Sequence, residues 1–333
     1  MTHPPVSVIV VLHNGARYIE RCLSSVFESS PEAEVVVVDN NSTDGGLEQA
    51  VRRFPSVIPL RSGLNLGYAG GVNLGLTVAS ASMIAPLNQD TEVAVGCLDL
   101  LLDHLAQHPK VGAVTPLILI DQKRQTINAM GGAIYPFGLS SCHRMGEPAD
   151  GAPKEPFSVP GVSGASFVIR RHLLEAMGGA PAFCFMGNDD VVLSWTLRLM
   201  GHDIHCVPSA RVYHRYNLSL DSDKLYYLER NRWIHLATAL EGATLFKAAP
   251  GLAALEGAVL AYCALKGPRM VAAKLRAMRH AISRPAFLSA RRQHLAQLRA
   301  VGDRELFDQL APSLPWGQLL SLMGRVSERQ ESV

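Results

Sequence analysis

The stretch Val6-Ser7-Val8-Ile9-Val10-Val11-Leu12-His13-Asn14 decides the fold. Its β-branched run is apolar without alternation, as a strand buried on both faces of a parallel sheet must be. A helical pattern follows over 17–28, with Ile19, Leu23, Val26 and Phe27 on one face. Glu34-Val35-Val36-Val37-Val38-Asp39 repeats the strand signal and ends in an acid. Asn41-Ser42-Thr43-Asp44 then offers N-cap side chains for a helix running to about Phe54. The alternation continues with a strand at 57–60, a helix at 67–80 despite its glycines, a strand at 82–88 and a helix at 95–107. Strands alternating with helices predict an α/β protein with a doubly wound parallel sheet. Ligands of such sheets bind beyond the carboxyl ends of the strands. The polar tails expected to converge there are His13-Asn14, Asp39-Asn40-Asn41 and Asn88-Gln89-Asp90.

The chain has 333 residues, which fits two domains or one α/β domain with a C-terminal extension. With 48% apolar and 18% charged residues, a sizeable core is available. Thirty-one Lys and Arg against 29 Asp and Glu exclude a globally basic binder, so no nucleic-acid partner is expected. The six cysteines, at 22, 97, 142, 184, 206 and 263, form no CxxC pair. That argues against a zinc ribbon or a disulfide scaffold and points to a reducing, cytoplasmic setting. The N-terminal apolar run lacks a basic flank and a cleavage site, so it does not read as a signal peptide. No segment offers the roughly 18 unbroken apolar residues of a confident membrane span.

Between 111 and 214 the pattern is less regular, and the Gly and Pro density from Gly131 to Gly164 predicts loops and short strands. A strand ending at Val168-Ile169-Arg170, a helix over 171–177 and a helix over 190–200 closed by Gly201 follow. From Lys247 to Arg299 ten Lys or Arg face a single acid, Glu256. The apolar stretch Leu252–Leu265, broken by Gly257, precedes segments that interleave Arg276, Arg279, Arg284, Arg291 and Arg292 with apolar residues. This is the composition of basic amphipathic helices on an anionic membrane surface. The expected partition is a nucleotide-binding domain over 1–240 and a helical region over 241–333.

Several residues invite chemistry, each with a plainer alternative. Asp90 can hold a divalent ion together with substrate phosphates or cap a helix starting near Thr91. Asp39 can accept from a nucleoside or serve a turn with Ser42 and Thr43. The glycines of Gly63-Leu64-Asn65-Leu66-Gly67-Tyr68-Ala69-Gly70-Gly71-Val72-Asn73 can expose backbone N–H groups to a diphosphate or allow close helix packing. Their register matches neither GxGxxG nor a P-loop. Asp189 and Asp190 can supply a general base or cap a helix, whose dipole should lower their pKa. His214 can complete a metal shell or be structural. Tyr226 to Trp233 sets arginines beside aromatics, which suits a lipid diphosphate or simple packing.

Taken in order, Val8 to Asn14, Val37 to Asp44, Asn65 to Asn73 and Leu87-Asn88-Gln89-Asp90-Thr91 resemble glycosyltransferase family 2, closest to its rhamnosyltransferase-like branch. The resemblance continues through Gly161 to Ala165, Asn188 to Val191, Leu193-Ser194-Trp195, Gly201, Val207-Pro208, His214 and Arg230-Asn231, covering residues 6 to about 235. It implies a GT-A fold, a nucleotide-diphosphate sugar donor, Mg or Mn, and inversion at the anomeric carbon. By position, Asp39 would bind the base and Asn14 would lie near the nucleoside. Leu12, Asn65, Gly67, Gly70, Asn88 and Asp90 complete the implied donor site, with Asp90 and His214 on the metal. Asp190 stands at the general base, with Asp189 beside it. Gly164, Trp195, Arg230 and Asn231 would face the acceptor or the diphosphate.

The implied function is transfer of a sugar, rhamnose from dTDP-rhamnose first, to a glycan or polyprenyl-linked acceptor in surface polysaccharide synthesis. The implied place is the cytoplasm, with a peripheral position on the inner face of the membrane as a variant. Three positions depart from the family pattern: Asn88 for the first acid of DxD, Val192 for an acid, and Thr196 for an arginine that Arg198 could replace. They keep open a second reading, a non-catalytic or altered nucleotide-sugar-binding protein on the same fold. A nucleotidyltransferase would need a GxGTRL-like signature, which His13-Asn14-Gly15 is not.

Overall fold

The computed structural model describes residues 4–216 and 219–311; the expected helical region therefore extends past the described residues, over 312–333. The strands are β1 (Ser7–Leu12), β2 (Glu34–Asp39), β3 (Ile58–Arg61), β4 (Met83–Asn88), β5 (Thr91–Val93), β6 (Val111–Ile120), β7 (Lys123–Ala129), β8 (Gly132–Ile134), β9 (Ser140–Cys142), β10 (Phe157–Ser158), β11 (Val168–Arg170) and β12 (Asp203–His214). The first six helices are α1 (Ala16–Ser29), α2 (Gly46–Arg53), α3 (Gly67–Leu76), α4 (Cys97–Gln107), α5 (Arg171–Ala176) and α6 (Asp189–Leu199). The last five are α7 (Ser222–Ala239), α8 (Gly242–Lys266), α9 (Pro268–Ile282), α10 (Pro285–Leu298) and α11 (Asp303–Asp308).

The main sheet runs β10-β12-β6-β11-β4-β1-β2-β3, with β5 added to β12 and β7 to β6. Its β4-β1-β2-β3 half is parallel, and the register levels Leu12 with Asp39 and Val11 with Asn88. Successive β1 side chains point to opposite faces. Val8, Val10 and Leu12 pack with Ile19, Leu23, Leu101 and Leu105 on one side. Ile9 and Val11 pack with Val72, Phe167, Leu193 and Leu197 on the other. Both faces are thus covered, as the unalternated sequence requires.

Between Gly131 and Gly164 the chain forms the expected loops and short strands, β8, β9 and β10, and the long strands lie on either side of it. β6 and β12 are the longest strands, and antiparallel β11 wedges between β6 and β4. Pro116 lies within β6, and the β6–β12 register shifts between Val207 and Arg211, around Pro208. The irregularity accommodates Pro208, which cannot donate to the ladder.

Two other local expectations change. The N-cap position of α2 is Gly45, at φ +74°, one residue past the expected Asn41 to Asp44. Asp44 still serves that helix, accepting from Gly46 N at 3.2 Å, and its second oxygen accepts from Ala16 N at 2.8 Å at the start of α1. Residues 91–93 form β5, so Asp90 caps no helix.

A helical layer covers one end: α7 packs on α9 and α10, and α8 on α9. α8 runs unbroken through Pro250 and Gly257. It is long and apolar enough to cross a membrane, with 17% of that stretch buried. Glu256, the lone acid of the basic region, ties it down. Glu229 and Arg232 of α7, Glu256 of α8 and Lys274 of α9 form a buried cluster in which each cation meets both carboxylates. Lys274 is fully buried, and so is removed from the basic face.

Candidate active site

The expected polar tails do meet. Asn14, at φ +48°, accepts from Thr43 N through Oδ1 at 2.9 Å and donates its own N–H to Ser42 Oγ at 3.1 Å. Asp39 is buried and accepts from Ser42 N at 2.9 Å. Gln89 clasps the backbone of His13 through both amide atoms, joining the ends of β1 and β4. Asn40 is the centre of this group, although the sequence reading gave it no role of its own. It donates to Asn65 Oδ1 at 3.0 Å and Gly67 O at 3.1 Å and accepts from Leu66 N at 2.8 Å. A fully engaged buried amide of this kind fixes the glycine loop against the strand ends.

Asp90 and His214 come together because β5 pairs with the end of β12, Thr91 opposite His214. His214 Nε2 lies 3.5 Å from Asp90 Oδ1, while Nδ1 faces Asn128 Oδ1 at 2.9 Å. With Nδ1 engaged by Asn128, Nε2 is the ring nitrogen turned to Asp90. An imidazole nitrogen beside a carboxylate suits a Mg or Mn ion whose other ligands are diphosphate oxygens. Among the described residues no third His, Cys, Asp or Glu joins them.

Asp189 and Asp190 open α6 without capping it; the N-cap is Asn188 at φ +61°, whose side chain donates to Leu228 O. Asp190 accepts from Gly164 N at 3.0 Å and Val191 N at 2.8 Å. Burial, then the Asp190 charge, pushes Asp189 up to about 7. Burial also raises Asp190, against the pull of its N–H donors. The helix dipole was expected to lower both; desolvation outweighs it. Two adjacent half-buried carboxyls resist double ionisation, so Asp190, with two donors, carries the charge while Asp189 keeps its proton until about neutrality.

The 163–166 turn links the two acidic centres. Gly164 N holds Asp190, Ala165 O accepts from Asn88 N at 3.0 Å, and Ser166 bridges Leu87. Asp90 follows Asn88 by two residues. Tyr68 is the second marker: burial pushes its hydroxyl well up, and the charges of Asp189, Asp190 and Asp90 add to the shift. Its OH has no protein partner and lines a small cavity with Asp189 and Asp190. No sequence spacing pointed to it, since Tyr68 sits among glycines that drew the attention.

Other expected contacts resolve differently. Leu12 is core, and only its carbonyl meets the site, accepting from Asn40 N at 2.7 Å. Gly67 and Gly70 serve packing: a Cβ on Gly67 would lie 2.2 Å from Phe185 O, and one on Gly70 2.8 Å from Leu66 Cβ. Trp195 is fully buried, edge-on to His235 at 4.7 Å, out of reach of an acceptor. Asn231 is fully buried and donates to the carbonyls of Cys184, Met186 and Gly187. Arg230 is occupied by Phe183 O, Cys184 O and Asn231 Oδ1. These two pin the 183–187 loop from below instead of meeting a diphosphate. Arg198 does not replace the missing arginine: it is buried against Asp203, Gln309, Ser158 and two carbonyls. Gly164 N holds Asp190 in its place.

A doubly wound sheet with these strand ends, extended by the mixed half that carries the acid pair, is the GT-A fold of nucleotide-sugar transferases, here with a helical C-terminal layer. The sequence profile of Glycosyl transferase family 2 matches residues 7–178, and the chain belongs to that family. It is 28% identical over 260 residues to an N-acetylglucosaminyl-diphospho-decaprenol L-rhamnosyltransferase of Mycobacterium tuberculosis, covering 71% of this chain and 85% of that protein. This relative accords with the rhamnosyltransferase-like branch. Among solved structures, GalNAc-T7 with UDP, GalNAc and Mn2+ aligns with TM-score 0.60 and 21% identity over 71% of this chain. The chain spans 48% of that transferase's length. The mannosyltransferase PcManGT from Pyrobaculum calidifontis, with GDP-Man and Mn2+, aligns with TM-score 0.51 and 22% identity over 98% of this chain and 81% of that one. Both share the fold.

Proposed function

We propose that the protein is an inverting glycosyltransferase of surface-polysaccharide synthesis. Its donor is a nucleotide-diphosphate sugar, with dTDP-rhamnose the first candidate, and its acceptor a glycan or a polyprenyl-linked glycan. The observation that carries this reading is the 163–166 turn, which ties Asp190 to the strand end bearing Asp90. Asp39, Asn14 and Asn65 line the nucleoside side. Asp90 and His214 would hold Mg or Mn, which when bound neutralises charge on the departing diphosphate. Asp190 takes the proton of the acceptor hydroxyl as its oxygen bonds to the anomeric carbon and the bond to the diphosphate breaks from the opposite face. Asp189, still protonated below about pH 7, keeps the negative charge on Asp190.

The C-terminal layer supports a peripheral place on the cytoplasmic membrane face. Phe246, Leu265, Leu275 and Ile282 are largely exposed, and Lys247, Arg269, Arg279 and Arg284 stand exposed among them. Apolar anchors among cations favour an anionic lipid surface. Glu256 holds α8 to the layer, which favours lying on the bilayer over crossing it.

The test is a panel of nucleotide sugars scored for binding and hydrolysis by the purified chain with and without Mn. Binding of dTDP-rhamnose or a UDP-sugar, strengthened by Mn and weakened in Asp90→Ala, is expected. A chain that binds no nucleotide diphosphate overturns the reading.

A further inference from the structure

A groove of about 500 Å³ lies between α7, α9 and the 185–186 turn, lined by Phe185, Met186, Asp223, Tyr226, Tyr227 and Arg276. Its wall contains a strained residue. Phe185 sits at φ +58°, a region costly for an aromatic side chain. The surroundings over-determine it. Tyr68 N donates to Phe185 O at 3.2 Å, Gly67 closes on the same carbonyl, and Arg230 and Asn231 hold the carbonyls on either side. What the strain achieves is the position of the ring, which stacks on Tyr227 at 5.0 Å and 29°. Tyr226 meets Tyr227 edge-on at 5.0 Å.

Arg276 completes the groove. Its guanidinium lies 4.2 Å over the Tyr226 ring and its side chain is 59% exposed. Its acidic neighbour, Asp223, is 3.4 Å away and 78% exposed, so the pair is weak. An arginine steadied by a ring keeps its donors for an anion. Aromatic faces with a few polar groups are the usual lining of a ligand site. The groove reaches Met186, three residues from Asp189, at most about 11 Å of chain. Leu275, 53% exposed beside Arg276, and Ile282 continue apolar surface along α9.

We propose that this groove is the acceptor site and takes a glycosyl diphosphate of a lipid. The sugar lies against Phe185 and Tyr227, the phosphates on Arg276, and the lipid leaves along α9. The proposal rests on the transferase reading and adds where the acceptor binds. It is tested on the full chain by calorimetry with N-acetylglucosaminyl diphosphate bearing a ten-carbon prenyl tail. N-acetylglucosamine 1-phosphate and the prenyl diphosphate without sugar are the other arms. Arg276→Gln and Tyr227→Ala should each weaken binding of the full probe by about tenfold, the scale of one charge-assisted bond. Tyr227→Phe, which keeps the ring, should bind like the native chain. The sugar-free arm should lose its dependence on Tyr227 and keep that on Arg276. Equal binding by all variants, or no binding of the full probe by the native chain, overturns the groove. dTDP affinity measured on the same samples tests the donor side separately: a chain that binds the probe but no nucleotide overturns the transferase reading instead.

Discussion

At the scale of single residues, the acid pair makes the sharpest statements. Asp190→Asn should leave nucleotide binding intact and cut transfer by roughly 10² or more, the usual contribution of a general base; near-native turnover would put the base elsewhere. Asp189 has a consequence for stability. Its carboxyl is raised in the folded chain to about 7, from 3.8. The folded state therefore binds this proton more tightly, and the stabilisation it contributes is complete below 3.8 and lost as pH rises to about 7. Asp189→Asn removes that loss. Its melting temperature relative to the native chain should climb between pH 4 and 7 and level off above, measured by calorimetry at constant ionic strength. A flat difference would mean that Asp189 ionises normally. Asp39, Asp90, Asp190 and His214 each had a plainer use as cap, turn or structural residue, and only the order of the motifs along the chain singled them out. Tyr68, Asn40 and Asn128 were not legible, because their significance is a matter of what lies across the sheet from them.

At the scale of elements, the 183–187 loop and α3 form a single fitted joint. Gly67→Ala places a methyl 2.2 Å from Phe185 O at a backbone of φ +72°. It should cost about 1–3 kcal/mol and loosen the acid pair's loop. A lower melting temperature together with reduced donor hydrolysis is expected, whereas Gly63→Ala, with no neighbour within 4 Å, should change neither. β1, β2 and β4 were readable because each is an apolar run buried on both faces, whereas the edge strand β3 alternates half-buried and exposed residues. β6 and β12 were obscured by Pro116 and Pro208; the β6–β12 irregularity accommodates Pro208, which no local pattern could forgive. Element type failed where pairing decides: residues 91–93 are a strand only because Tyr213 and its neighbours lie alongside.

At the scale of the whole molecule, the exposed face of α8 and α9 should bring the protein to anionic vesicles. Phe246→Ser with Leu265→Ser should reduce co-sedimentation with phosphatidylglycerol vesicles severalfold at low salt, and high salt should weaken the native chain's binding as the cationic share is screened. Unchanged pelleting of the double variant would remove the membrane role of this face. The charged cluster beneath it sets how such experiments can be designed. Glu229, Arg232, Glu256 and Lys274 come from three helices, and each cation bridges the two carboxylates across them. Cutting the chain before α8 takes away Glu256 and Lys274 together, and uncovers the Glu229–Arg232 pair of α7 that α8 and α9 bury. The tail is therefore no detachable module. A chimera meant to graft a different acceptor preference onto this scaffold would have to exchange α7 along with everything after it.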